Sequence, residues 1–175
     1  GKLIPRKGTD LLLEAAAHLR SMTDTPFRLR FIGGDPDGWA ASLTAKLGLE
    51  DCVEFKGFLE DESLRTAIST ADVFVLPTRQ DTDAAVVHEA ACLGLPLLVS
   101  IHAGACEALV QEGVAGHAID PADTTSFAKR MRTLCDDRTL RQRMGAASRN
   151  AGERLSAHRT ATAIVDWMRN QFALR

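Results

Sequence analysis

The chain has 175 residues, of which 45% are hydrophobic and 25% are charged, and its formal net charge is −2. This length and composition suit one globular domain with a core of its own, and no low-complexity tract interrupts it. The Lys and Arg residues are dispersed and form no basic stripe, so a nucleic acid is not an expected partner.

The four cysteines occur singly, without the paired spacing of a zinc site or a disulfide framework. They are Cys52, Cys92, Cys106 and Cys135. This pattern predicts reduced, buried thiols and a cytoplasmic location. No apolar run approaches the roughly 20 residues that a transmembrane helix needs. The chain opens at Gly1 without an initiating Met, which suggests a fragment of a longer protein.

Strand and helix patterns alternate along the chain. In chain order they are helix 9–21, strand 27–32, helix 39–47, strand 53–55, helix 63–69, strand 73–76, a helix from Thr82 or Asp83 to Leu93, strand 97–99, short helix 106–110, strand 117–119, and helices 123–135, 139–152 and 161–172. Strands separated by helices require right-handed crossovers. The pattern therefore predicts an α/β fold with a Rossmann-like, doubly wound parallel sheet and helices on both faces.

Two carboxylates flank the predicted strand-to-helix turn that follows residue 76. Ligands of open parallel sheets bind outside the carboxyl ends of the strands, where helix N-termini offer unpaired amides to phosphate. Asp81 stands on that rim, although it could equally be a loop or capping acid. Glu89 lies among small and apolar residues on a helix predicted to be mostly buried. Either a ligand or a structural salt bridge to an Arg would have to satisfy it.

Cations and glycines at other strand ends could serve the same ligand. Lys2 and Lys7 lie just before the first helix and could neutralise a diphosphate, although such loop lysines are often simply solvated. Gly33 follows a strand and would allow a close backbone approach, although it also fits a plain turn. The histidines show no metal-ligand spacing, so no metal site is predicted.

The segment after the second predicted strand is a candidate base site. Gly57, Phe58 and Leu59 could offer backbone groups to a flat base. Phe58 could instead be an ordinary anchor of the core.

Several runs, in order along the chain, resemble those of one family. They are GKLIPRKG at 1–8, FIGG at 31–34, EFKGF at 54–58, ADVFVLP at 71–77, EAACLGLP at 89–96, GACEALV at 104–110, GVAG at 113–116 and DPAD at 120–123. Their order and spacing resemble the nucleotide-sugar-binding, C-terminal half of the retaining GT-B glycosyltransferases, with glycosyltransferase family 4 nearest. The resemblance covers nearly the whole chain.

The resemblance implies a role for each candidate residue. In that family two Glu residues enclose seven others, and Asp81 and Glu89 match them. Glu89 would accept hydrogen bonds from the ribose hydroxyls, and Asp81 would face the donor sugar or its phosphate. The groups that would hold the diphosphate are the lysines and the helix-start amides, namely Lys2, Lys7, Ala85 and Val86. The donor would be a nucleotide-diphosphate sugar bound without a metal or other cofactor, with its base near residues 57–59.

The chain departs from the family pattern at three places. The family usually has Arg in place of Lys2, Glu in place of Asp81, and Gly-Phe-Gly in place of residues 82–84. Lys lacks the bidentate fork of Arg, and Asp83 adds a negative charge near the expected phosphate. A degenerate, non-catalytic nucleotide-binding or scaffold module is therefore an alternative. A sugar epimerase of related fold is a more distant one.

The resemblance also implies that the acceptor binds to an N-terminal domain outside this sequence. The isolated chain would then bind nucleotide but transfer little sugar, and any peripheral membrane contact would come through the other domain. The segment 157–175 carries Ile164, Trp167, Met168 and Phe172 at helical spacing. It could pack against that other domain or within this one.

Overall fold

The computed structural model of the chain describes residues 1–35, 37–155 and 157–172. In this part the strands are β1 (Leu29–Phe31), β2 (Val53–Phe55), β3 (Phe74–Leu76), β4 (Leu97–Ser100) and β5 (Gly116–Ile119). The helices are α1 (Thr9–Arg20), α2 (Trp39–Lys46), α3 (Asp61–Ser69), α4 (Ala85–Cys92), α5 (Cys106–Leu109), α6 (Thr124–Asp136), α7 (Arg138–Arg154) and α8 (Ala157–Phe172). A 3-10 turn, Pro5–Lys7, precedes α1.

All strand pairs are parallel, which confirms the predicted α/β, Rossmann-like doubly wound fold. β4 lies between β3 and β5, with Val75 opposite Leu98 and Leu98 opposite His117. β1 pairs with β2 in a second sheet. The sequence predicted a single sheet, whereas the described strands form two, because β1 and β3 do not pair and each keeps one edge open.

The two faces of the β3–β4–β5 sheet are covered by separate hydrophobic clusters. Leu98 packs into a cluster with residues of α1 and α6, whereas Leu97 and Val99 pack into a cluster with residues of α4 and α5. Alternation along one strand thus fills two cores, as expected for a parallel sheet between helical layers.

Gly8 brings the first loop of the chain against the end of β3. It has a φ of 70°, and a Cβ at this position would lie 1.9 Å from the carbonyl oxygen of Pro77. Two further contacts join the same segments. The Arg79 amide and the Thr78 hydroxyl both donate to the carbonyl of Arg6, at 2.9 and 3.1 Å. The loop at 1–8 is therefore fixed over the carboxyl end of the central strands.

The prediction of buried cysteines is only partly confirmed. Cys52 and Cys106 are buried, as predicted, but Cys135 is only half-buried and Cys92 is exposed because it lies on the solvent side of α4.

The C-terminal helix α8 begins earlier than predicted, and its Ile164, Trp167 and Met168 side chains are 53%, 58% and 42% exposed. The Phe172 side chain lies outside the described residues. None of the described helices is long and apolar enough to cross a membrane.

Candidate functional site

A cavity of about 1000 Å³ lies between β1 and β3 and extends to the carboxyl end of β3. Its mouth, which we call the cleft, is bordered by the loop at 1–8, the turn after β3 and the first turns of α4. The candidate residues that line it are Lys2, Lys7, Asp81, Ala85, Val86 and Glu89. Three separate segments thus bring cations, carboxylates and helix-start amides to one place.

Lys7 and Asp81 form an ion pair across the cleft. The Lys7 ammonium donates to Oδ2 of Asp81, and the two side chains are 29% and 14% exposed. Oδ1 of Asp81 accepts a hydrogen bond from the Ala84 amide at 3.2 Å. Asp81 therefore connects the first loop of the chain to the turn that begins α4.

This pairing decides the ionisation of Asp81. Burial acts to raise the pKa of the carboxyl, but the hydrogen bond and charge of Lys7, with the amides of Ala84 and Asp83, outweigh it. The net result is a pKa below the ordinary value of 3.8. Asp81 is therefore an anion at neutral pH and a hydrogen-bond acceptor.

α4 begins in an unusual way. Ala84, just before it, has a φ of 51° in the left-handed region, and no side chain of its own caps the helix. The prediction that Thr82 or Asp83 caps the helix is wrong, because Asp81 reaches forward to the Ala84 amide instead. The first-turn amides, those of Ala85 and Val86, have no acceptor one turn earlier within the helix. They stand at the end of the helix that favours an anion.

Glu89 lies on the open face of α4. Its predicted burial is wrong, because its side chain is exposed at the cleft while Val87, Ala90 and Ala91 fill the buried face. The structural salt bridge that was the alternative is also not found, since among the described residues no ion pair involves Glu89. Its carboxylate is open to a ligand.

The remaining candidates lie outside the lining of the cleft. The Gly33 amide donates to the carbonyl of Gly57 at 2.7 Å, and a Cβ on Gly33 would lie 1.4 Å from the carbonyl oxygen of Gly1. Gly33 is thus needed for a close approach by the chain's own first residue. Phe58 is 74% exposed, so the expectation that it anchors the core is wrong, and Leu59 is half-buried.

Two contacts that hold the cleft together were not predicted from the sequence. Arg79 makes a two-pronged ion pair with Asp10, at 2.8 and 2.7 Å, which ties the turn after β3 to the start of α1. Gly104 packs beneath the turn, and a Cβ there would lie 2.1 Å from the carbonyl oxygen of Thr82. Arg79 and Asp10 are 69 positions apart, and no local pattern joins them.

No metal cluster accompanies these groups in the described part of the chain, where no three His, Cys, Asp or Glu side chains gather around a possible ion. What the cleft offers is a partly neutralised ion pair, helix-start amides and a free carboxylate. Such groups suit a ligand that carries both an anion and hydroxyl groups.

The chain is similar to known sugar transferases. It is 29% identical over 180 residues to a D-inositol 3-phosphate glycosyltransferase of Streptomyces avermitilis, with 95% of this chain and 38% of that protein covered. It is 34% identical over 140 residues to the sulfoquinovosyl transferase SQD2 of Arabidopsis thaliana, with 78% and 27% covered. The chain thus spans well under half the length of these relatives.

Solved structures agree in fold. Sucrose-phosphate synthase from Thermosynechococcus elongatus superposes with a TM-score of 0.82 at 24% identity, covering 100% of this chain and 45% of that one. The Anabaena protein Alr3699/HepE, solved in complex with UDP, superposes with a TM-score of 0.83 at 22% identity, covering 97% and 47%. The family "Glycosyl transferases group 1" matches residues 1–151, which is most of the chain. The chain therefore belongs to the group 1 glycosyl transferases.

Proposed function

We propose that this chain is the donor-binding domain of a retaining, family 4 hexosyltransferase. The full protein would move a sugar from a nucleotide-diphosphate sugar to an acceptor. One observation carries the proposal. In a member of this family, an accessible Glu89, the Lys7–Asp81 pair and the start of α4 border one cleft beyond a parallel sheet.

The diphosphate would lie at the start of α4. There the amides of Ala85 and Val86 and the positive end of the helix favour an anion, and Lys2 and Lys7 add charge. Lys7 already pairs with Asp81, so a bound diphosphate would share its ammonium with that carboxylate. The fixed donors would stabilise the charge that grows on the leaving diphosphate, and we propose that no metal or other cofactor is required.

The nucleoside would extend away from α4. Glu89 has a free carboxylate that can accept hydrogen bonds from both ribose hydroxyls. The exposed ring of Phe58, with Gly57 and Leu59, would contact the base by stacking. Because the Anabaena protein of similar fold was solved with UDP, uracil is the first base to test.

The acceptor side of the reaction would come from elsewhere in the protein. The chain spans 38% of the Streptomyces relative, which leaves ample length for an N-terminal acceptor domain. We further propose a cytoplasmic location, with any membrane contact made through that other domain.

Calorimetric titration of this chain tests the donor site. UDP, GDP and ADP, each free and as a nucleotide sugar, are titrated in the presence of a chelator into the wild type and Glu89→Ala. We expect the nucleotides of one base to bind. Glu89→Ala should weaken their binding roughly tenfold or more, because charge-assisted hydrogen bonds to the ribose are lost. Glu153→Ala is the matched control, since Glu153 is exposed on α7 outside the cleft. Equal weakening in both variants, or a requirement for metal, would contradict the proposal.

A non-catalytic module of the same fold is the second candidate. The observation that favours it is that Asp81 is already satisfied by Lys7 and the Ala84 amide, and so is not directed at a ligand. Full-length protein supplied with the donor that binds best separates the two. Sugar transfer or slow donor hydrolysis supports the enzyme, and binding with neither reaction supports the module.

A further inference from the structure

Helix α7 packs directly against the second half of α4, the helix that carries Glu89. Two glycines of α7 allow the backbones to meet. A Cβ on Gly145 would lie 2.3 Å from the carbonyl oxygen of Gly94, and a Cβ on Gly152 would lie 2.9 Å from the backbone nitrogen of Cys92. A larger side chain at either position would push the helices apart. α7 is therefore a close-fitting support for α4.

One side chain of α4 makes a polar contact with this support. Nε2 of His88 lies 2.9 Å from the Gly152 carbonyl oxygen, and the His88 side chain is half-buried. A carbonyl oxygen only accepts, so Nε2 carries a hydrogen and donates it. The same carbonyl accepts a hydrogen bond from the Leu155 amide at 3.1 Å. The Cys92 sulfur lies beside the ring, 3.8 Å from Nε2 and 4.0 Å from Nδ1, and limits its movement. His88 thus joins α4 to the last turn of α7 in one orientation.

Packing alone fixes the rotation of α4 only weakly. The residues that the helix buries have short side chains, namely Val87, Ala90 and Ala91. Such side chains form low ridges, which interdigitate little with a neighbouring helix. A directional contact to α7 therefore decides how far α4 is turned. His88 supplies this contact next to Glu89, whereas the contact from Arg149 to the Leu93 carbonyl, at 3.2 Å, lies past the last residue of α4.

His88 and Glu89 are neighbours in sequence, so α4 cannot turn without moving both side chains. Their directions from the helix axis differ by about 100°. Since side chains extend about 5–6 Å from the axis, a turn of about 10° would shift the Glu89 carboxylate by about 1 Å and would displace the His88 ring equally. A hydrogen bond weakens steeply when its distance and angle depart from the optimum, so the bond to Gly152 resists this turn. A shift of about 1 Å in a binding group is enough to impair the recognition of a ligand.

We infer that His88 is a positioning residue of the donor site. Its bond to the Gly152 carbonyl fixes the rotation of α4 and so holds the Glu89 carboxylate where the ribose hydroxyls can donate to it. His88 acts through Glu89 and not on the ligand, since Glu89 lines the cleft and His88 does not. The inference rests on the proposed function, in which Glu89 binds the ribose.

A comparison of ribose with deoxyribose tests the inference. UDP and 2′-deoxy-UDP, or the same pair for the base that binds best, are titrated calorimetrically into wild type and variants. Wild type should bind the ribose form about tenfold more tightly, the effect of one charge-assisted hydrogen bond, and Glu89→Ala should lose this preference. His88→Leu, which fills the space but cannot donate, should lower the preference to about twofold or less. His88→Gln should keep the preference, because its amide nitrogen can donate from the place of Nε2.

Ser148→Ala is the matched control in the same helix contact. Ser148 lies on the face of α7 that carries Gly145 and Gly152, it is fully buried, and its hydroxyl has no hydrogen-bond partner among the described residues. This variant should therefore keep the preference for ribose. If His88→Leu does not fold, His88→Asn provides the same contrast, because its polar side chain is one methylene shorter than that of Gln. A partly unfolded variant binds both nucleotides more weakly by the same factor, so the ratio of the two affinities does not report stability.

The outcomes separate this inference from the proposed function. A preference that is unchanged in His88→Leu, lost equally in His88→Gln, or lost in Ser148→Ala would overturn the role of His88 alone. No preference in wild type, or a preference that persists in Glu89→Ala, would contradict the binding of ribose by Glu89 and would overturn both.

Discussion

Asp81 connects two segments that are distant in sequence, and its negative charge strengthens both contacts. Asp81→Asn removes the ion pair with Lys7 and weakens the bond to the Ala84 amide. We expect a loss of about 1 kcal/mol in the free energy of unfolding at pH 7, in the range of a lost helix cap or a partly exposed ion pair. Urea unfolding of wild type and variant measures it.

The same pair predicts a pH dependence. The folded-state pKa of Asp81 lies below the ordinary 3.8, so its contribution is full above the unfolded-state pKa and is lost as the pH falls through the lowered value. The difference between wild type and Asp81→Asn should therefore hold from neutral pH to about pH 5, decrease as the pH falls below the ordinary value of 3.8, and vanish once the pH is below the lowered pKa of Asp81. Asp83→Asn is the control, since Asp83 is exposed and has no ion pair among the described residues. A constant difference across this range would refute the assignment.

Sequence reasoning found most residues of the cleft but not their contacts. The motif order identified Lys7, Asp81 and Glu89, which all line it. It could not show that Lys7 neutralises Asp81, because the partners are 74 positions apart. It also misjudged Glu89, because the small neighbours that indicated burial belong to the opposite face of α4.

Among the elements, the loop before α1 depends on one glycine. Gly8→Ala would need both a left-handed alanine and a Cβ 1.9 Å from the Pro77 carbonyl oxygen. The conformational cost alone is about 1–2 kcal/mol. Because the contact is with backbone, the loop must also move away from β3. We expect Gly8→Ala to lower the free energy of unfolding by more than about 3 kcal/mol, measured by thermal unfolding. It should also weaken donor binding, measured by calorimetric titration.

Gly48→Ala is a control that separates the cost of a left-handed alanine from the cost of a steric contact with backbone. Gly48 has nearly the same φ, 66°, but nothing lies within 4 Å of an added Cβ. Gly48→Ala should lower the free energy of unfolding by only about 1 kcal/mol and should leave donor binding unchanged. Equal losses in the two variants would mean that the contact between the first loop and β3 contributes nothing.

Element prediction succeeded where local pattern is sufficient. The strand expected at 97–99 is β4, because its continuous apolar run belongs to a strand covered on both faces. The start of α4 was misplaced because it is set by Asp81 and by the left-handed Ala84, a conformation that no propensity favours for alanine. The division into two sheets was also not foreseen, since pairing between β1 and β3 depends on spatial order and not on either strand's sequence.

At the scale of the whole molecule, α8 leaves an apolar face in solvent. Ile164, Val165 and Met168 are 53%, 44% and 42% exposed, although their spacing is that of a packed helix face. Large apolar groups gathered on one surface often mark an interface. Since the chain spans 38% of its Streptomyces relative, we propose that this face packs against another part of the full-length protein.

This interpretation predicts that the same substitution has different costs in two contexts. Ile164→Ser with Met168→Ser should change the unfolding free energy of this chain by less than about 0.5 kcal/mol, because both side chains are already exposed. In the full-length protein the pair should cost several kcal/mol, since burial of each side chain there contributes about 1.5–3 kcal/mol. Leu134→Ala, in the core, should destabilise both forms by about 2–5 kcal/mol and calibrates the comparison. If the double substitution is neutral in the full-length protein as well, the face of α8 contacts no other domain and its apolar residues need another partner. If it is costly in this chain alone, α8 packs within the domain.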